Sequence, residues 1–273
     1  MALSVATNVG ALSATKAASA VNKSMETSMA RLASGKRINS DADDSAGLAI
    51  ASRLTAEARG LDMAARNAAD AQALLNTVES AHNEVNNILQ RMRELAVQGS
   101  NDTNGTSDRT NIRKELTELG EEIDAIASQT KWAGQDLISG ANDFTFQIGD
   151  AGEETLTVST TAISHSGLSS TGISTLTDAA GFTSYIDELN TAISNVAEYR
   201  AEYGANSNRL DHIMSHLATS SENIKASLGR MEDADYAAET TNLAKSQILQ
   251  QAATSMLAQA NASKQTILSL LQG

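Results

Sequence analysis

The chain contains no cysteine and no proline in its 273 residues, and aromatics make up 3% of it. Without cysteine, disulfides and thiol chemistry are excluded, and the redox compartment is left open. Without proline, nothing obliges a helix to stop or kink. With few aromatics, burial falls to Ala, Leu, Ile, Val and Met, a set that suits long helices packed closely side by side. No run approaches the length of a transmembrane helix. The opening MALSVATNVGALSATKAA has no basic stretch ahead of an apolar one, so no cleaved secretory signal is expected. That leaves a cytoplasmic protein or one exported by another route. Basic excess is also lacking. A net charge of −13 and a pI near 4.7 argue against nucleic acid and against an anionic membrane surface as partners.

What is present is helical periodicity. Met25, Met29 and Leu32 follow one helix face, continued upstream by Ala18, Ala14 and Ala11, so Leu3 to Leu32 is expected to be a helix with a shallow apolar seam. Gly35 is its expected stop, and Ser40, Asp41 and Asp43 are the expected N-caps of a second helix. From Asp44 to about Gln98, a heptad-like seam runs through Leu61, Ala65, Ala68, Leu75, Val78, Val85, Leu89, Met92 and Ala96. Only Gly60 interrupts it. About 50 residues at ~1.5 Å each make a helix of roughly 75 Å. Gly99 to Asp108 has turn composition. Ile112, Leu116, Leu119, Ile123 and Ile126 then mark a third helix, expected to fold back on the second.

The period next shortens to two. Phe144, Phe146 and Ile148 alternate with polar residues, as do Leu156 and Val158, and GDAGEE lies between them, which predicts a β-hairpin resting on helices. Ala162 to Ala180, rich in Ser, Thr and Gly, is expected to be a loop or short irregular connection. Helical spacing returns at Tyr185 and runs through Ile186, Leu189, Ile193, Val196, Tyr203, Leu210, Ile213, Leu217, Ile224 and Leu228. A polar break over Met231 to Glu239 precedes a last helix with its seam on Ala253, Leu257, Ala260, Lys264, Ile267 and Leu271. The expected fold class is mainly α: an elongated antiparallel helical rod or coiled coil with a small β-hairpin, its chain ends paired at one tip.

The last helix also carries Ile248, Leu249, Met256, Leu268 and Leu270 off that seam. A helix apolar on several sides needs several neighbours. If those neighbours are copies of the same chain, head-to-tail contacts generate rings or helical filaments. Terminal helices that bury so little on their own are expected to order on binding.

Catalytic chemistry finds little support. His212 and His216 have the i, i+4 spacing of two zinc ligands, but Ile213 stands where a hydrolytic site needs its Glu, and no third ligand is evident in the sequence. The pair is therefore expected on an exposed helix face. His82 and His165 stand alone. DADDSAG, Asp41 to Gly47, has Ala46 where a calcium loop needs glycine and lacks the bidentate Glu, so helix capping is the better reading. The Asn101, Asn104 and Asn261 sequons occur at chance level. No phosphate loop, Ser/His/Asp arrangement or dinucleotide motif occurs, so no enzyme activity, cofactor or metal is expected.

Three stretches carry a family resemblance. RLASGKRINSDADDSAGLAIASRL (Arg31 to Leu54), LQRMRELAVQGSNDTN (Leu89 to Asn104) and LAKSQILQQAATSMLAQAN (Leu243 to Asn261) resemble the N- and C-terminal signatures of bacterial flagellins. The resemblance implies a structural subunit of the flagellar filament, exported unfolded by the flagellar type III apparatus and located outside the cell. It places residues 1–43 and 231–273 as the two halves of an inner-tube coiled coil with linkers. Residues 44–140 and 181–230 become outer-tube helices, and residues 141–180 a hairpin with a short variable connection. It implies subunit contacts on Leu3, Val9, Leu12, Met25, Met29, Leu32, Leu249, Ala253, Met256, Leu257, Ala260, Ile267 and Leu271.

The implied partners are sister subunits, an export chaperone on the C-terminal segment, and the filament cap and hook-associated proteins, with no nucleic acid and no membrane insertion. The Toll-like receptor that senses flagellin is a further implied partner, at Arg91, Leu95 and Glu115. By themselves those residues read as solvated charges on facing helices beside a core leucine. Many flagellins carry a large variable region in mid-chain; only the short Ser/Thr/Gly stretch stands in its place here, which makes this a short form. Hook–filament junction proteins share the terminal helices and the export route, and are the alternative reading.

Overall fold

The computed structural model describes residues 7–169 and 172–272, with side chains as far as Lys264. Leu3 and the side chains of Ile267, Leu268, Leu270 and Leu271 lie outside the described residues. The elements in order are helices α1 (Val9–Ser34), α2 (Ser45–Gly99) and α3 (Thr106–Gln129), strands β1 (Lys131–Trp132), β2 (Gln135–Asp136), β3 (Asn142–Gln147) and β4 (Thr155–Thr160), a short helix α4 (His165–Leu168), a 3-10 turn (Ile173–Thr175), and helices α5 (Ala179–Glu232) and α6 (Tyr236–Gln272). The mainly helical class, the small hairpin and the pairing of the terminal helices all match expectation.

Contacts divide the chain into two compact units. One gathers Met1–Ala56 with Asn223–Gly273, and the other is Glu57–Glu222. Helices α2 and α5 therefore contribute to both.

In the first unit, α1 starts at Asn8, whose side-chain oxygen accepts from Ala11 N at 3.0 Å. It stops at Gly35, held at φ 72°, a left-handed conformation that glycine adopts without a Cβ penalty. The caps expected for α2 are corrected. Asp44 caps the helix, accepting from Gly47 N at 2.8 Å. Asp43 instead closes the turn before it, accepting from Asn39 N, Ser40 N and Ser40 Oγ. These bonds hold the Asp43 carboxyl below its usual value. Arg37 N donates to Glu232 O at 2.6 Å and Ala234 N to Gly35 O at 2.9 Å, so the linker after α1 pairs with the linker before α6. Ile38, next in the linker, is buried at 2% exposure. The break before α6 is thus only three residues long, narrower than the polar stretch suggests.

The second unit holds two apolar clusters. One joins Val85, Leu89, Met92 and Leu95 of α2 to Ile112, Leu116 and Ile123 of α3 and to Phe182, Tyr185, Leu189 and Val196 of α5. The other joins Ala68, Ala71, Leu74, Leu75 and Val78 to Leu156 and Val158 of the hairpin and to Tyr203 and Leu210 of α5. The α2 seam runs as expected except at Ala65, which is half-buried while Ala64 is buried. The expected hairpin pairs antiparallel, with Phe144 opposite Val158 and Phe146 opposite Leu156.

Three departures follow from local packing. The Ala162 to Ala180 stretch is more than a loop, because Ile163, Ile173 and Leu176 enter the first cluster. Helix α5 begins six residues before the apolar period at Tyr185, since Asp178 caps it through Gly181 N at 2.9 Å and Phe182 is buried. Its ring rests on Gly99, where a Cβ would stand 2.5 Å from it. A second small hairpin, β1–β2, turns through Ala133 and Gly134, both at positive φ.

Candidate assembly interface

Helices α1 and α6 run antiparallel and bury a two-stranded seam. On α1 it comprises Ala11, Ala14, Ala18, Val21, Met25, Ser28 and Leu32. On α6 it comprises Glu239, Leu243, Ser246, Gln250, Ala253, Leu257, Ala260 and Lys264. Each set alternates steps of three and four, the spacing of a coiled coil. The register is fixed at three heights. Asn8 Nδ2 donates to Ala260 O at 3.0 Å, Gln250 Nε2 to Asn22 Oδ1 at 2.9 Å, and Tyr236 Oη to Leu32 O at 2.9 Å. Small residues allow close approach: a Cβ on Gly10 would stand 3.8 Å from the Ala260 Cβ.

The most buried residues of this seam are polar. Ser28, Ser246 and Glu239 are buried, with Arg31 Nη1 at 3.9 Å from the Glu239 carboxylate. Sequence reasoning missed this layer because it followed large apolar residues. The signal was available, since Ser28 falls in phase between Met25 and Leu32.

The expected contact residues therefore separate into two groups. Met25, Leu32, Ala253, Leu257 and Ala260 are half-buried within the pair. Val9, Leu12, Met29, Leu249 and Met256 point away from it, with Leu12 71% and Met256 66% exposed. Ile248, also off the seam, is 67% exposed. Two shallow grooves flank the pair. One of about 490 Å³ is lined by Gly10, Ala14, Ala17, Ala253, Met256 and Ala260 among others. The other, about 670 Å³, includes Ala11, Leu12, Ala20, Lys16 and Lys23.

In the other unit, Arg91 donates to Glu115 at 2.9 Å and to Glu94 at 3.1 Å, and these bonds raise its pKa further. Arg91 and Glu115 are each about half exposed, whereas Leu95 is 3% exposed within the core. His212 and His216 lie on an exposed face of α5. Among the described residues, no three His, Cys, Asp or Glu side chains converge to hold a metal ion, and no helix is long and apolar enough to cross a membrane.

Both terminal regions match those of known proteins. The bacterial flagellin N-terminal helical region matches residues 5–143, and the bacterial flagellin C-terminal helical region matches residues 186–271. Flagellin from Halalkalibacterium halodurans is 40% identical over 246 residues, 89% of this chain and 90% of that protein. Flagellin A of Vibrio cholerae is 31% identical over the whole of both chains. That alignment runs to 379 positions, so the longer relative carries residues this chain lacks. A structure assigned as a flagellar hook-associated protein from Vibrio parahaemolyticus shares the fold, with a TM-score of 0.60 at 17% identity over 70% of this chain and 100% of that one. With both terminal helical regions matched, and relatives aligned along nearly the full length, the chain belongs to the bacterial flagellin family.

Proposed function

We propose that this chain, as a structural subunit of the flagellar filament, polymerises by covering the open apolar faces of its α1–α6 pair with the same pair of sister subunits. The observation that carries this reading is the exposed set Val9, Leu12, Met29, Ile248, Leu249 and Met256, six large apolar side chains on two neighbouring helices. Single exposed apolar residues are ordinary, but a cluster of them marks an interaction surface. The half-buried set (Met25, Leu32, Ala253, Leu257 and Ala260) holds the two helices together within one subunit. The exposed set joins subunits. Ile267 and Leu271 continue the α6 seam by spacing, and Leu3 precedes α1 in the sequence.

Before assembly the same surface on α6 suits an export chaperone, and at the filament ends it suits cap and hook-associated proteins. The Toll-like receptor that senses flagellin would meet the Arg91–Glu115 pair directly, with Leu95 supporting it from beneath. Reporter-cell activation by monomer should fall when Arg91 and Leu95 are both replaced; unchanged activation would remove that partner.

The assembly reading is tested by electron microscopy of purified monomer, seeded with filament fragments in precipitating salt, beside a chain lacking Ile248–Gly273. Long filaments are expected from the intact chain alone. Filaments from the truncated chain would refute the terminal interface. A monomeric intact chain that binds filament ends would favour a hook–filament junction role.

A further inference from the structure

Sulfur enters this chain only as methionine: there are 8 Met and no Cys. A hydroperoxide therefore meets no thiol to consume it first, and its target is whichever thioether it can reach. Met1 lies outside the described residues. Folding sorts the others by access. Met92 is fully buried in the core of the second unit, and Met25, Met214 and Met231 are half-buried. Met256, Met63 and Met29 are 66%, 46% and 45% exposed.

Met29 and Met63 thus offer a peroxide almost the same access, but in different settings. Met63 is on α2 within Glu57–Glu222. Met29 and Met256 stand on the open faces of the α1–α6 pair. Met256 lines the groove of about 490 Å³, where five of the nine lining residues, Gly10, Ala14, Ala17, Ala253 and Ala260, carry no side-chain hydrogen-bond donor. A thioether suits such a place, being flexible, apolar and polarisable. A sulfoxide does not. Its oxygen is a polar acceptor, and covering it removes its water.

We propose that Met29 and Met256 are sites of reversible sulfoxidation by hydroperoxides in the unassembled chain, and that sulfoxide at these positions holds the chain out of the filament. This rests on the assembly proposed above for the open faces of the α1–α6 pair. In the forward step a sulfur lone pair attacks one peroxide oxygen. The S–O bond forms as the O–O bond breaks, and the second oxygen leaves, protonated, as water or alcohol. Sulfur is oxidised by two electrons and the peroxide is reduced by two. Thiol-dependent sulfoxide reductases, one for each sulfoxide epimer, reverse the step. Assembly and oxidation then compete for the same side chains, because a sister subunit that covers them also shields them.

The test treats purified full-length monomer with hydrogen peroxide. Peptide mass spectrometry reads the sulfoxide at each methionine, and seeded polymerisation reads the critical concentration. Met256, Met63 and Met29 should oxidise well before Met92. The critical concentration should rise about five- to thirtyfold and return on treatment with both sulfoxide reductases. Each variant is compared with itself untreated. Met63→Leu should keep the rise, and Met29→Leu with Met256→Leu should lose it, since Leu has a similar volume and no sulfur. A monomer oxidised at both positions that polymerises like the untreated one would overturn the proposal. So would a double variant as peroxide-sensitive as wild type. Reversal needs no substitution: assembly still impaired once both sulfoxides have been reduced would overturn it as well. Preformed filaments should keep both thioethers under the same treatment. Oxidation there at the monomer rate would instead sink the assembly reading, and this proposal with it, because neither side chain would then be covered.

Discussion

The two units bury very different things. In Glu57–Glu222 the buried side chains include many large ones: Phe182, Tyr185, Tyr203, Leu74, Leu89, Met92 and Leu116. In the α1–α6 pair the buried residues, among those described, are Ser28, Glu239 and Ser246, while Leu12, Ile248 and Met256 stand in solvent. Hydrophobic stabilisation scales with apolar area removed from water. The first pattern is that of a body that holds itself together. The second is that of a surface left for another molecule to finish. On the proposed assembly, sister subunits would supply to the terminal helices the burial that their own chain does not.

Substitutions should separate the two regions. The largest effect is expected from truncating the second unit's core. Leu89→Ala or Tyr203→Ala should each lower unfolding free energy by about 3–5 kcal/mol in denaturant titration of the monomer. Leu257→Ala in the terminal pair should cost about 1 kcal/mol or less by that measure, yet reduce filament yield. Equal losses at Leu257 and Leu89 would break the comparison. Next in size is Gly99→Ala. The added Cβ would press on the Phe182 ring, and thermal unfolding should report a loss of about 1–3 kcal/mol.

A pH effect comes next, also confined to the second unit. Burial pushes the His82 imidazole below its usual value, with Arg200 acting in the same direction. Its Nδ1 faces Val78 O at 2.8 Å, and Tyr199 and Tyr203 pack edge-on against the ring. Burial also lowers His165, opposed by Asp124. A lowered folded-state pKa means that the unfolded chain takes up protons first. The stability these histidines contribute is thus complete above about pH 6.5 and declines as pH falls below it, by at most about 1.4 kcal/mol per pH unit for each group. His82→Gln should flatten the fall in unfolding free energy measured between neutral and mildly acid pH. An unchanged slope would assign the acid sensitivity elsewhere. The smallest effect belongs to the first unit's cap: Asp44→Ala should cost about 1 kcal/mol in thermal unfolding.

Where one residue type dominates the physics, the sequence was legible. Large apolar residues at three-four spacing marked α2, α3 and α5, and strict alternation marked β3 and β4. Gly35 stopped α1 as a left-handed glycine should. Tertiary contacts accounted for most of the remainder. Asp44 was passed over as the α2 cap because Ser40, Asp41 and Asp43 offer equally good capping chemistry, and only the geometry of the turn selects among them. The β1–β2 turn uses Ala133 and Gly134 in place of the Asn-Gly or Asp-Gly pair that signals such hairpins. Ile163, Ile173 and Leu176 were hidden in a Ser/Thr-rich stretch because isolated apolar residues have no period.

The exposure of the expected contact residues was not legible in the sequence. Met25 and Met29 have the same side chain four residues apart; only the position of α6 makes one half-buried and leaves the other 45% exposed.

The most direct test of this account is amide hydrogen exchange, followed segment by segment in the monomer and in the assembled filament. Amides of α1 and α6 should exchange quickly in the monomer and become strongly protected in the filament, while those of α3 and the β3–β4 hairpin stay protected in both. Terminal helices as protected in the monomer as in the filament would contradict the claim that sister subunits complete them.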